Sequence, residues 1–114
     1  MNTDAKLQII DRLIFIRGKY LRLGFTLELG GEDTTKIRQA EKRLAKRIDD
    51  IREQLHDDWS GSATTVTSEL RVISRRVQTS IRAIEKRADV PAHIVKAVSY
   101  VDRVLQITGR LLGV

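Results

Sequence analysis

Apolar residues at helical spacing constrain this chain more than any other feature. Ile37, Ala40, Leu44, Ile48, Ile51 and Leu55 follow one another at intervals of three or four, which draws one narrow stripe on a helix of 3.6 residues per turn. Val66, Leu70, Ile73, Val77, Ile81 and Ile84 repeat the pattern, as do Ile94, Val98, Val101, Leu105 and Leu112. Breakers fall between the stripes. Gly30-Gly31 can end one helix, Asp33 to Thr35 offer N-caps for the next, and Trp59-Ser60-Gly61 closes it. Asp89-Val90-Pro91 reads as a stop and restart, with the proline suited to a first helical turn.

The first segment is more ambiguous. Leu23, Phe25, Leu27 and Leu29 alternate as in a strand, and Gly18 and Gly24 would each cost a helix about 1 kcal/mol relative to Ala. Turned at 100° per residue, however, Asp4, Gln8, Asp11, Lys19, Arg22 and Thr26 gather into one polar sector. A helix satisfies both halves of that pattern. The expectation is an all-α chain, an antiparallel up-down four-helix bundle with helices near 4–29, 34–59, 66–88 and 91–112. At 114 residues there is room for one hydrophobic core, so the bundle is read as a single domain over residues 1–114.

Composition removes several alternatives. Cysteine is absent, which excludes disulfides and thiolate metal sites. The longest apolar run, Leu13 to Ile16, is far below the ~20 residues a membrane span needs, and Asp4, Lys6 and Asp11 interrupt any signal-like core. A cytoplasmic protein with no membrane partner is expected. The apolar arc of the first helix covers about 200° where a surface helix needs ~100°, and that of the fourth is also broad. Apolar surface left over in so small a bundle predicts a homodimer, with Phe15, Leu23, Phe25, Ile107 and Leu111 as candidate interface residues.

Charge is distributed unevenly. Residues 1–58 carry 12 Lys and Arg against 11 Asp and Glu, whereas residues 59–114 carry 9 against 4. The second helix is basic in its first half (Lys36, Arg38, Lys42, Arg43, Lys46 and Arg47 against Glu41) and acidic in its second (Asp49, Asp50, Glu53, Asp57 and Asp58 against Arg52). That polarity opposes the helix macrodipole, so something else must compensate it. In an antiparallel hairpin of the second and third helices, the acidic end would neutralise Arg71, Arg75 and Arg76. The basic start would meet Arg82, Lys86 and Arg87 in a basic pole.

Lys and Arg so placed suit phosphate. The leading expectation is a non-enzymatic module that binds nucleic acid or another polyanion through Arg38, Lys42, Arg43, Lys46, Arg47, Arg71, Arg75, Arg82, Lys86 and Arg87. The few aromatics are not interleaved in sequence with the bases of the third helix, which argues against stacking on single strands. An acidic protein is the alternative partner for the same charges, and an adaptor assembled through the first and fourth helices is the competing class. Catalytic signals are weak. Glu53-x-x-His56 has the spacing of a helical di-iron ligand pair, but it lies opposite the apolar stripe, and His93 has no suggestive partner. No metal or cofactor is expected. Arg17 falls within the apolar arc and needs an acid, an anion or a route to solvent; an anionic substrate pocket around it is the third reading, a small helical enzyme.

Overall fold

The computed structural model describes residues 1–26 and 31–112. It holds four helices, α1 (Thr3–Thr26), α2 (Gly31–Glu53), α3 (Ala63–Glu85) and α4 (Val90–Leu111). Residues 27–29, expected to prolong the first helix, lie outside the described residues, as does Gly30. Local chemistry explains most of the ends. The Asn2 side chain accepts from Ala5 N at 2.8 Å and caps α1, and Ser62 Oγ accepts from Thr65 N at 3.3 Å and caps α3. Gly31 opens α2 rather than ending its predecessor, which puts the acids Glu32 and Asp33 in the first turn, where the dipole favours them. Pro91 sits in the first turn of α4.

The α2 and α3 stripes read from the sequence form the core. The buried face of α4 instead runs through Ile94, Ala97, Val101, Val104, Ile107 and Leu111, and Val98, Leu105 and Leu112 of the expected stripe are only partly buried. Ile37, Leu44 and Ile51 of α2, Leu70, Val77 and Ile84 of α3, and Ile94 and Val101 of α4 are buried against Ile9, Leu13, Ile16, Tyr20 and Leu23 of α1. Each such side chain contributes roughly 1.5–3 kcal/mol through removal from water. With helices of 22 to 24 residues, the described body measures 42 × 22 × 20 Å.

The neighbour relations differ from the expected hairpin. α1 packs on α2 and α3, and α4 packs on α2 and α3, whereas neither α2 with α3 nor α1 with α4 packs side by side. Around the bundle the order is therefore α1, α2, α4, α3, with α2 and α3 on a diagonal. The link between them, residues 54–62, makes this possible. Nine extended residues can reach about 30 Å, and the diagonal of four helices spaced 8–10 Å apart is about half that.

Specific contacts hold the link across the end of the bundle. Trp59 is buried, its Nε1 donating to Gln54 O at 2.9 Å, so α2 stops at Glu53 instead of continuing to 59. Ser60 N donates to Leu111 O at the end of α4 at 2.9 Å. From α1, Lys6 Nζ donates to Leu55 O at 2.9 Å and to Asp57 O, and lies 5.3 Å from the centre of the Trp59 ring. Gly61, at φ +98°, makes the turn into α3 in a conformation that residues with a Cβ rarely adopt. No described helix is long and apolar enough to cross a membrane.

Candidate functional site

Three cations of α2 cross-link it to its neighbours, and two more pair along the helix itself. Arg43 meets Asp102 of α4 at 2.6 Å, and Arg47 Nη1 donates to Leu105 O at 2.9 Å and Thr108 Oγ1 at 3.0 Å, near the end of α4. Arg38 donates to Gly24 O of α1 at 3.3 Å. Lys36 and Lys46 pair along α2 with Glu32 and Asp50 at 3.5 and 3.3 Å. Of the expected sites in α2, only Lys42 has no hydrogen bond or ion pair among the described residues, and it borders a groove with Leu21 and Phe25 on another side of the bundle. These contacts answer the unfavourable order of charge along α2. Carbonyls and carboxylates of neighbouring helices supply what its own dipole does not.

Because α2 and α3 sit on a diagonal, the acidic end of α2 does not neutralise the arginines of α3. Arg71, Arg75, Arg76 and Arg82 are exposed and have no ion pair among the described residues. Lys86, the C-cap of α3, is also exposed, and Arg87 beyond it adopts φ 58° in the turn to α4. The expected pole of α2 with α3 is thus replaced by a face centred on α3.

α3 forms a ridge between two basic grooves. On the α1 side, Gln8, Asp11, Arg12, Phe15, Thr67 and Arg71 line a cleft of about 500 Å³. Farther along the same two helices, Lys19, Arg22, Gln78, Ile81, Arg82 and Glu85 line another of about 230 Å³. On the α4 side, Arg75, Arg76 and Lys96 border a hollow of about 200 Å³ with His93 and Tyr100, and no carboxylate lines it. The three hollows together are bordered by eight Lys and Arg and by two carboxylates, Asp11 and Glu85. Arg76 was expected to be neutralised by α2, and the α1 cations Arg12, Lys19 and Arg22 were not expected at the site, because only the fold sets them beside Arg71 and Arg82.

Arg17 has found its acid. Its Nε donates to Glu41 Oε1 of α2 at 2.7 Å, with the two side chains 39% and 11% exposed. The anion beside this arginine is therefore part of the chain. Glu53 and His56 are both exposed, and no cluster of three potential metal ligands occurs among the described residues. His93 Nδ1 lies 3.4 Å from Ser80 Oγ. Tyr20 is buried and donates to Ala97 O at 2.6 Å; burial, with a contribution from Tyr100, pushes its phenol well above the ordinary range.

The candidate interface residues separate into two groups. Leu23, Ile107 and Leu111 belong to the chain's own core and offer no surface to a second copy. Phe15 and Phe25 are exposed, by 48% and 76%. Phe25 continues a line of exposed residues on α1, Leu7, Ile14 and Leu21, whereas Phe15 turns into the groove with α3. Comparison with known proteins returns no matching family model, no matching curated protein and no matching solved structure.

Proposed function

We propose that the chain is an up-down bundle serving as a non-enzymatic module that binds a polyanion, nucleic acid above all, on the face centred on α3. The observation that carries this reading is the excess of eight cations over two carboxylates around one ridge. Three of the α2 cations, Arg38, Arg43 and Arg47, are by contrast engaged in bonds to α1 or α4. Placing like charges together on a folded surface is unfavourable, and a phosphate backbone that releases its counterions offsets that cost.

The test is a binding titration with a generic labelled oligonucleotide at low salt. Arg75→Glu combined with Arg82→Glu should abolish binding, and Lys42→Glu, a charge reversal on the opposite side, should leave most of it. Absence of binding by the unsubstituted protein overturns the reading, as does equal loss in both variants.

A second reading, self-association or adaptor work, rests on a separate observation. Leu7, Ile14 and Leu21 recur every seven residues on α1, Phe25 follows one turn later, and all four are exposed. A heptad-spaced apolar line of this kind suits another helix. A dimer mass by light scattering, reduced to a monomer by Leu21→Glu with Phe25→Glu, supports this reading. A monomer mass at micromolar concentration removes it. Leu21 and Phe25 of that line border the groove on the α2 side of α1.

A further inference from the structure

The groove between α1 and α3 holds one aromatic ring. Phe15 stands half exposed in the wider cleft, opposite Thr67 and Arg71. Two cations flank it from the turns before and after, with Arg12 Cζ 5.8 Å and Lys19 Nζ 5.0 Å from the ring centre. In sequence, Phe15 is far from the arginines of α3. In the fold it has cations from both helices around it, with Gln8 and the carboxylate of Asp11 in the same cleft and Gln78 and Glu85 in the hollow farther along.

A basic groove with an aromatic ring in its floor is the arrangement that holds single strands. Cations follow the phosphates, and the ring offers a flat surface to an unpaired base, whatever its identity. A duplex keeps its bases stacked on one another and can reach only the cations at the rim. From Thr67 to Glu85, α3 rises about 27 Å, enough for several nucleotides. The depression around Phe15 is open to solvent and has a volume of about 500 Å³.

We propose that the α1/α3 groove is a track for single-stranded nucleic acid and that one base stacks on Phe15. The base takes the place of a flanking cation over the ring, and the displaced Arg12 or Lys19 stays within reach of the adjoining phosphate. Arg71 and Arg82 hold the backbone from the α3 side. This proposal rests on the polyanion reading above and narrows it to a strand with accessible bases.

The experiment is fluorescence anisotropy with three probes, oligothymidine of about twelve nucleotides, an oligouridine of the same length and a duplex of matched length. Phe15→Leu should weaken binding of the single strands between about fivefold and a hundredfold, the range of one lost base–aromatic stack. It should change duplex binding less than twofold, and Phe15→Tyr should bind all three probes as the unsubstituted protein does. Single-strand binding unchanged in Phe15→Leu overturns the stacking proposal and leaves the polyanion reading standing. Parallel loss for single strands and duplex also overturns it, because the ring then acts through the fold. If no probe binds the unsubstituted protein, both readings fall. Comparison of the thymidine and uridine probes assigns DNA or RNA.

Discussion

Lys6 is buried to 6% exposure at the start of α1, yet its ammonium reaches two carbonyls of the link that joins α2 to α3. Lys6→Met keeps most of the aliphatic stem and removes the charge. Two hydrogen bonds from a charged donor are lost, each contributing about 1.5–3 kcal/mol. A cation–π contact of about 0.5–1 kcal/mol with Trp59 disappears as well. Against these stand the relief from burying an ammonium and the access of water to carbonyls at the bundle's end. The net destabilisation expected is about 2–3 kcal/mol. For a domain of this size that is a fall in Tm of roughly 10 °C, measurable by circular dichroism, with a matching decrease in the urea midpoint at unchanged slope. Trp59 provides a local reporter, since its emission should move to longer wavelength if the link loosens before the bundle unfolds. A change below about 0.5 kcal/mol with unaltered Trp59 emission would refute the view that Lys6 fastens the diagonal connection.

Other consequences can be checked in the same way. Tyr20 retains its proton in the fold above the pH at which the unfolded chain releases it, so its contribution to stability should be constant below about pH 10 and decline above it. Tyr20→Phe should remove that fall and cost about 1 kcal/mol at neutral pH, through loss of the hydrogen bond to Ala97 O. Gly18→Ala should stabilise α1 by about 1 kcal/mol, because an added Cβ there meets nothing within 4 Å and the helix gains propensity; chemical denaturation would detect it. Glu41→Gln should cost about 1 kcal/mol, and a double-mutant cycle with Arg17→Met should return most of that as coupling across the α1–α2 pair.

The helices were legible because apolar periodicity reports burial directly, as in the stripe from Ile37 to Ile51. The order of helices around the bundle was not. A stripe says which face is buried but not which neighbour covers it, and a nine-residue link can join neighbours or cross a diagonal equally well. The decisive residues, Lys6 and Trp59, carry no such pattern. One reads as an ordinary polar position near the chain's start, the other as part of a helix stop. That single difference in topology moved the candidate site. With α2 beside α3, Arg71, Arg75 and Arg76 would have been neutralised; on the diagonal they face solvent, while Arg43 and Arg47 are drawn into α4. Phe15 illustrates the same limit. Its neighbours Arg12 and Lys19 follow from helical spacing, but the company of Arg71 needed the fold.

The most direct test of the basic face is the salt dependence of oligonucleotide binding. If about five of the eight cations around α3 meet phosphates, the logarithm of the association constant should fall against the logarithm of salt with a slope of roughly −3.5 for a single strand. Arg75→Glu with Arg82→Glu should flatten that slope, and Lys42→Glu should leave it nearly unchanged. A slope near zero, or no binding even at low salt, would contradict the assignment of the α3 face to a polyanion.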